Sequence, residues 1–158
     1  MIQQDFGSIA KDIVDTNMYM VLGTVDASGN PWVSPVYYAS AEYIEFYWVS
    51  SPEAKHSHNI ARHPQTSIVI FNSQARIGTA QAIYMSALAT QLSGADLERG
   101  IDIYSRTSLG HGAPEWKQED VQPPALYRLY QATVSEHWVL DPSGHPDHRI
   151  PVNVSGNH

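Results

Sequence analysis

Cysteine is missing altogether from the 158 residues. Its absence removes disulfides, thiolate metal sites and cysteine nucleophiles together. Basic residues are scarce too: nine Lys and Arg stand against sixteen Asp and Glu, for a net charge of −7. A surface that binds duplex nucleic acid needs a basic stripe, and no stretch here supplies one. No nucleic-acid partner is therefore expected. No run reaches the ~18 consecutive apolar residues of a membrane span, so no membrane association is expected. The start, MIQQDFGSIAKDIVDTN, lacks a charged segment followed by an apolar block. It does not read as a signal peptide, which favours the cytoplasm.

Several catalytic signatures are also lacking. There is no GxSxG elbow and no HExxH pair. Gly110-His111-Gly112 has no strand before it and no helix after it, so it is not a dinucleotide fingerprint. Eight histidines invite a metal reading. However, His56 and His58 stand two apart and cannot share a helix face. No other pair has ligand spacing, so no metal site is expected. His145, His148 and His158 offer adventitious binding only.

What is present is organised around Ile44–Asn72, IEFYWVSSPEAKHSHNIARHPQTSIVIFN. Ile44, Phe46 and Trp48 alternate with Glu45 and Tyr47, the period of a half-buried strand. Ser50-Ser51-Pro52 then combines a good N-cap with a residue suited to the first helical position. The spacing predicts a helix from there to the residue before Pro64, with Lys55 and His56 in its first turns. Thr66–Phe71 follows as a β-branched strand. A strand feeding a helix N-terminus presents free N–H groups and the positive end of the helix dipole. With Ser50, Ser51 and Lys55 beside it, this corner suits an anion, most naturally a phosphate. An ordinary capped helix, with Glu53 closing a capping box on Ser50, is the bland alternative.

Elsewhere the pattern predicts a helix over residues 3–16, with Ile2, Phe6, Ile9 and Ile13 on one stripe and Asn17 at its end. Met18–Val25 reads as a strand, residues 26–30 as a hairpin loop and Pro31–Tyr38 as the returning strand. Pro31 and Pro35 cannot donate ladder hydrogen bonds, so that strand belongs at an edge or is broken by a bulge. Ala39–Glu42 reads as a loop and Asn72–Ile77 as a turn. Gly78–Leu92 reads as a strand apolar on both faces and so covered on both sides. Gln81 on it needs partners for its amide, either a ligand's ring edge or neighbouring backbone. A helix runs from Ser93-Gly94 to about Ser105, and residues 107–124 are irregular, with Trp116 as an anchor. Leu126–Val134 and His137–Leu140 complete the strands. At least six strands and about three helices favour an antiparallel β-barrel with helices packed outside.

The ordered set PWVSPVYY, FYWVSS, the Lys55 helix, His63-Pro64 and the Gln81 strand resembles the pyridoxamine 5'-phosphate oxidase-like FMN-binding split barrels. The resemblance covers residues 15–92 well and 126–141 loosely. It implies a mainly β, antiparallel six-stranded split β-barrel with flanking helices, in one domain over 1–158. Residues 1–17 would be an N-terminal helix, 94–124 an insert and 142–158 a tail. It further implies an FMN-dependent oxidoreductase that works as a homodimer, with the cofactor at the subunit interface. Residue by residue, it carries over Ser50 and Ser51 to the phosphate or ring edge and Lys55 and His56 to the phosphate. Ser34, Pro35, Val36 and Tyr37 would face the isoalloxazine, and Gln81 would bond the ring. Trp138 and Arg149 are candidates for the partner chain's share, while Tyr37, Tyr38 and Trp116 would line the substrate face. The short segment past residue 150 and the insert point to a smaller relative rather than the vitamin B6 enzyme. Related barrels use the deazaflavin F420 or haem in place of FMN, and a non-catalytic dimeric binding module is the remaining class.

Overall fold

The structure is a computed structural model that describes residues 5–143 and 146–155. Ile2 of the predicted apolar stripe and the adventitious metal positions His145 and His158 lie outside the described residues. Helix α1, Phe6–Thr16, is capped by Asp5, whose carboxylate accepts from the Gly7 and Ser8 amides. Its far end closes as expected through Asn17, whose Nδ2 donates to Ile13 O at 2.8 Å.

The strands β1 (Tyr19–Val25), β2 (Pro31–Tyr37), β3 (Ala39–Ala41), β4 (Glu45–Ser50), β5 (Gln65–Phe71), β6 (Ala82–Gln91), β7 (Arg128–Leu140) and β8 (Arg149–Pro151) form one antiparallel sheet. Its order is β2-β1-β5-β6-β7-β4-β3, with β8 paired to β7. Proline-bearing β2 lies at an end of that order, where its missing N–H groups break no inner ladder. The two ends of the order are nevertheless one chain. β2 runs into β3 through Tyr38, leaving β1 at Tyr19↔Tyr37 and joining β4 at Ala39↔Tyr47. With β2 and β3 counted as one bent strand, six strands surround the core and β8 is an added edge.

Ala39–Ala41 was expected as a loop and is instead this second half-strand. The turn falls one step later, at Glu42 and Tyr43, both with positive φ (53° and 60°). Neither is the glycine or asparagine such a turn prefers, so local sequence does not reveal it. Three long-range contacts hold Tyr43 there. Its hydroxyl donates to Asp15 at 2.9 Å, its carbonyl accepts from buried His137 at 2.7 Å, and Lys11 stands 5.5 Å from its ring.

The barrel interior holds Met20, Leu22, Phe46, Trp48, Ile68, Ile70, Ile83 and Met85, every one nearly or fully buried. Helix α1 closes one end, with Ala10, Ile13 and Val14 in that core. Helix α2, Lys55–Arg62, closes the other through Ile60 and through an Asn59–Thr24 hydrogen bond of 3.0 Å. Helix α3, Gly94–Gly110, is longer than expected and lies on the outside of the sheet, over β3, β4 and the start of β7. A second core forms there around Tyr47, Leu97, Ile101 and Tyr104. The outer face of β2, β1, β5 and β6 is left open. Strand β6 was expected to be covered on both sides; its inner residues are buried, but Leu88 on the outer face is 56% exposed. It also starts at Ala82, because residues before it turn at Gly78 (φ 84°).

Gly100 lies where α3 meets the sheet. A Cβ there would come 2.8 Å from Leu92 Cδ1 and 2.9 Å from Tyr47 Cε1. In an exposed helix, glycine to alanine stabilises by about 1 kcal/mol. Here overpacking of ~1–3 kcal/mol offsets that gain, so Gly100→Ala is expected to cost up to ~2 kcal/mol net in urea unfolding. Gly110→Ala, with open space around it, should be neutral or slightly stabilising in the same experiment.

Candidate functional site

The corner between β4 and α2 differs from the expected helix start. The chain makes a turn after Ser50, with the Ala54 amide donating to Ser51 O at 3.1 Å. The helix begins only at Lys55, and its N-cap, Ala54, offers no side-chain bond. The serines serve the turn instead. Ser51 Oγ accepts from the Glu53 amide at 3.1 Å, and Ser57 Oγ donates to Ser51 O at 2.7 Å. The capping box between Ser50 and Glu53 does not form. The Glu53 carboxylate lies 3.4 Å from His58 Nε2. Ser50, at the inward end of β4, shares a 2.8 Å hydrogen bond with His56 Nε2. Burial pushes the His56 pKa below its usual 6.5. At neutral pH the imidazole is therefore uncharged, and Lys55 is the positive charge this corner presents. Its Nζ stands 4.3 Å above the Trp32 ring, a cation–π contact. Asp26 in the adjacent hairpin feels that lysine, although its lowered pKa is owed first to the Asn30 amide.

Gln81 uses neighbouring backbone, the plainer of its two expected partners. Its Nε2 donates to Leu140 O at 2.9 Å, and its Oε1 accepts from the Leu140 and Ala82 amides at 3.0 Å each. The amide thus adds one more rung between β6 and β7. It is also far from Lys55. Gln81 and Tyr37 lie at the α1 end of the strands, whereas Ser50, Ser51, Lys55 and His56 lie at the α2 end. The seven residues of β5 separate those ends, a rise of about 20 Å. The β2 residues divide as well. Ser34 and Val36 share the inward-facing row, with Val36 buried, while Pro35 and Tyr37 face out. Tyr37 hydrogen-bonds His111 Nδ1 at 2.6 Å and meets Tyr104 edge-on at 5.8 Å, which docks α3 against β2. Tyr38 is buried and reaches the Val14 and Asn17 carbonyls at 2.7 and 3.0 Å, so it does not face a substrate.

The open sheet face carries what the sequence reading missed. Two grooves, of about 590 and 350 Å³, share Gly23, Val33, Ser67 and Ser86 and so form one continuous channel. Trp32 lines one end, with Lys55 over it. Trp138 and Tyr84 line the other, and the Arg149 guanidinium lies 4.0 Å from the Tyr84 ring. The floor is flat where β1 meets β5, since a Cβ on Gly23 would come 3.3 Å from Ser67 O. The channel is therefore an apolar trough with Arg149 resting on the Tyr84 ring at one end; at the other, Trp32 shares the strand row of inward-facing Ser34 and Val36, so Lys55 on its ring stands beside the channel rather than in it. Trp32 could not be singled out in the sequence, because its role depends on the turn that delivers Lys55 to it.

The sequence model described as pyridoxamine 5'-phosphate oxidase matches residues 9–135. This chain belongs to the pyridoxamine 5'-phosphate oxidase family. No curated protein matches it. Among solved structures, a heme-binding protein from Mycobacterium smegmatis is similar, with a TM-score of 0.74 at 16% identity. That alignment covers 98% of this chain but 60% of the mycobacterial one, so the chain spans less than two thirds of that relative. HutZ, the heme storage protein of Vibrio cholerae, has a TM-score of 0.66 at 16% identity, covering 87% and 94% of the two chains. A FAD-binding protein from Mesorhizobium loti has a TM-score of 0.62 at 19% identity, covering 84% and 91%. At these identities the likeness is one of fold. It agrees with the split barrel of this oxidase-family chain. No described helix is long and apolar enough to cross a membrane.

Two imidazoles, half-buried His56 and buried His137, make stability depend on pH. Burial lowers both pKa values below 6.5. The unfolded chain then binds protons that the folded chain refuses, so stability rises with pH in this range. It is complete above about pH 7 and falls as pH drops through the unfolded value of about 6.5. Chemical denaturation at pH 7.5 and 5.5 should show this loss, and His56→Gln, which retains a partner for Ser50, should reduce it. An unchanged midpoint between the two pH values would refute the assignment.

Proposed function

We propose that this protein binds FMN in the trough on the open sheet face and acts as a flavin-dependent oxidoreductase. A second copy of the chain would cover the cofactor. The observation that carries the reading is the trough itself, an apolar channel with a flat floor that ends at Trp32, beside Lys55. Such a surface suits a planar ring with an anionic tail. Trp32 keeps the Lys55 ammonium beside the channel when no phosphate is there, and a phosphate would draw it off the ring into a charge-assisted hydrogen bond. Ser51 stands in the turn that leads into Lys55, its Oγ accepting from the Glu53 amide. At the other end, Arg149 over Tyr84 offers a second cation for an acidic ligand or for the partner chain's cofactor. Exposed Val33 and Leu88 on this face give a second copy an apolar surface to bury, which would also exclude water from the ring.

Bound flavin would supply hydride or electron transfer. The chain's own residues would bind, orient and shield it, and among the described residues that line the trough there is no histidine or carboxylate to act as a general acid or base. His56, neutral and bonded to Ser50, would shape the phosphate corner rather than neutralise charge. Ser34, Pro35 and Val36 would contribute through the position of β2 rather than through side chains, and Gln81 by fixing the β6–β7 edge.

Haem is the second reading. It is favoured by the apolar character of the trough and by the haem-binding names among the similar folds. One titration separates the two. With FMN, flavin fluorescence should be quenched to an end point of one per chain, and Lys55→Glu should weaken binding by roughly 10–100-fold, the loss of one charge-assisted contact. With haemin, a shifted Soret band that persists in Lys55→Glu would favour haem. Binding of neither, or FMN binding indifferent to Lys55→Glu, would overturn the phosphate corner.

A further inference from the structure

A separate cleft of about 460 Å³ opens on the far side of α3, walled by Pro114, Glu115, Trp116, Asp120, Leu126 and Tyr127. It shares no lining residue with the trough. We propose that it binds a quaternary ammonium headgroup, with Trp116 and Tyr127 as its aromatic walls.

The two rings lie 6.1 Å apart at 80°, forming a corner rather than a stack. Each ring face is electron-rich, and a cation set in such a corner is attracted by both. Tyr127 is 47% exposed and Leu126 79%, although both side chains are apolar enough to be buried. The corner is also rigid. Trp116 is held from behind by Tyr104, edge-on at 5.9 Å, and by its own amide, which donates to Ser105 Oγ at 2.9 Å. The short 3-10 turn Gln118–Val121 is closed by the Lys117 amide donating to Asp120 Oδ2 at 2.8 Å. Arg128 fixes the opposite rim, its Nη1 donating to the Ala125 and Tyr127 carbonyls at 2.6 Å each. A preformed wall does not have to be ordered by its ligand.

Charge selects the ligand. Between Gly112 and Tyr127 there are three carboxylates, Glu115, Glu119 and Asp120, and one lysine, Lys117. Arg128 just beyond is tied to carbonyls. Glu115 and Asp120 line the cleft itself. A carboxylate or phosphate would be repelled, and a neutral apolar group would leave these charges without use. A primary ammonium prefers water or hydrogen-bond acceptors, whereas a methylated one carries its charge on an apolar surface. That combination matches an aromatic corner with carboxylates at its rim.

The test is calorimetric titration of the full chain with choline and with 3,3-dimethylbutan-1-ol, which has the same shape without the charge. Choline is expected to bind in the millimolar range or tighter and the alcohol at least about tenfold more weakly. Tyr127→Ala, at an exposed position, should weaken choline by about tenfold, and Glu115→Gln by a smaller factor. Glu115→Gln leaves both rings in place, so it reads the charge term even if the tyrosine variant folds poorly. Equal binding of choline and the alcohol would reassign the cleft to an apolar partner and overturn the proposal. So would the absence of choline binding at millimolar concentration, or choline binding unaffected by either variant.

Discussion

The barrel depends on the crossing at Tyr38. One strand must leave β1 and join β4 without losing its backbone partners, because a buried unpaired amide or carbonyl costs more than a hydrogen bond returns. Tyr38 meets that constraint in two ways. Its amide donates to Met18 O as the last rung to the first hairpin, and its hydroxyl reaches the end of α1. The C-terminal carbonyls of a helix lack intrahelical partners, so this hydroxyl satisfies α1 while holding it against the barrel mouth. The closed sheet, the plug at one end and the direction in which β2 presents its outer face all follow from this residue.

Closing the barrel this way sorts its two faces. The interior is filled, and α3 covers half of the exterior, leaving the other half to whatever binds there. That open half has the features expected of a protected surface: β-branched and aromatic residues, a glycine floor and few charges. Arg149 on this face and Lys55 beside it are each held on a ring, which screens them without hydrogen bonds that a ligand would have to break. An aromatic face attracts a cation by only ~0.5–1 kcal/mol at exposed sites. Release to an anion is therefore cheap, and such a resting position suits a residue that has to move.

Much of this was legible in the sequence, and the gaps have physical causes. The alternation of Ile44–Trp48, the β-branched run of Thr66–Phe71 and the prolines of β2 each report a local constraint, and each element is where the pattern places it. The helix after Ser50 was misjudged because serine and proline suit a tight turn as well as a cap. Four residues, 51–54, intervene, and Ser50 pairs with His56 instead. β3 was hidden because its partner, β4, and its turn at Glu42-Tyr43 are set by distant contacts. The site residues were the least legible. A list of types along the chain does not reveal that Gln81 and Lys55 stand at opposite ends of the strands. Nor does it show that Trp32 and Arg149 end the same channel.

The turn at Glu42 and Tyr43 bears on the order in which the molecule assembles. Two consecutive left-handed residues, one of them aromatic, oppose hairpin formation by β3 and β4 alone. The groups that compensate, Asp15, Lys11 and His137, come from α1 and β7, far away in the chain. This hairpin is therefore poorly suited to act as a nucleus. It is expected to close only after the helix and the long strand have met, so that this seam of the barrel gains protection from solvent exchange late.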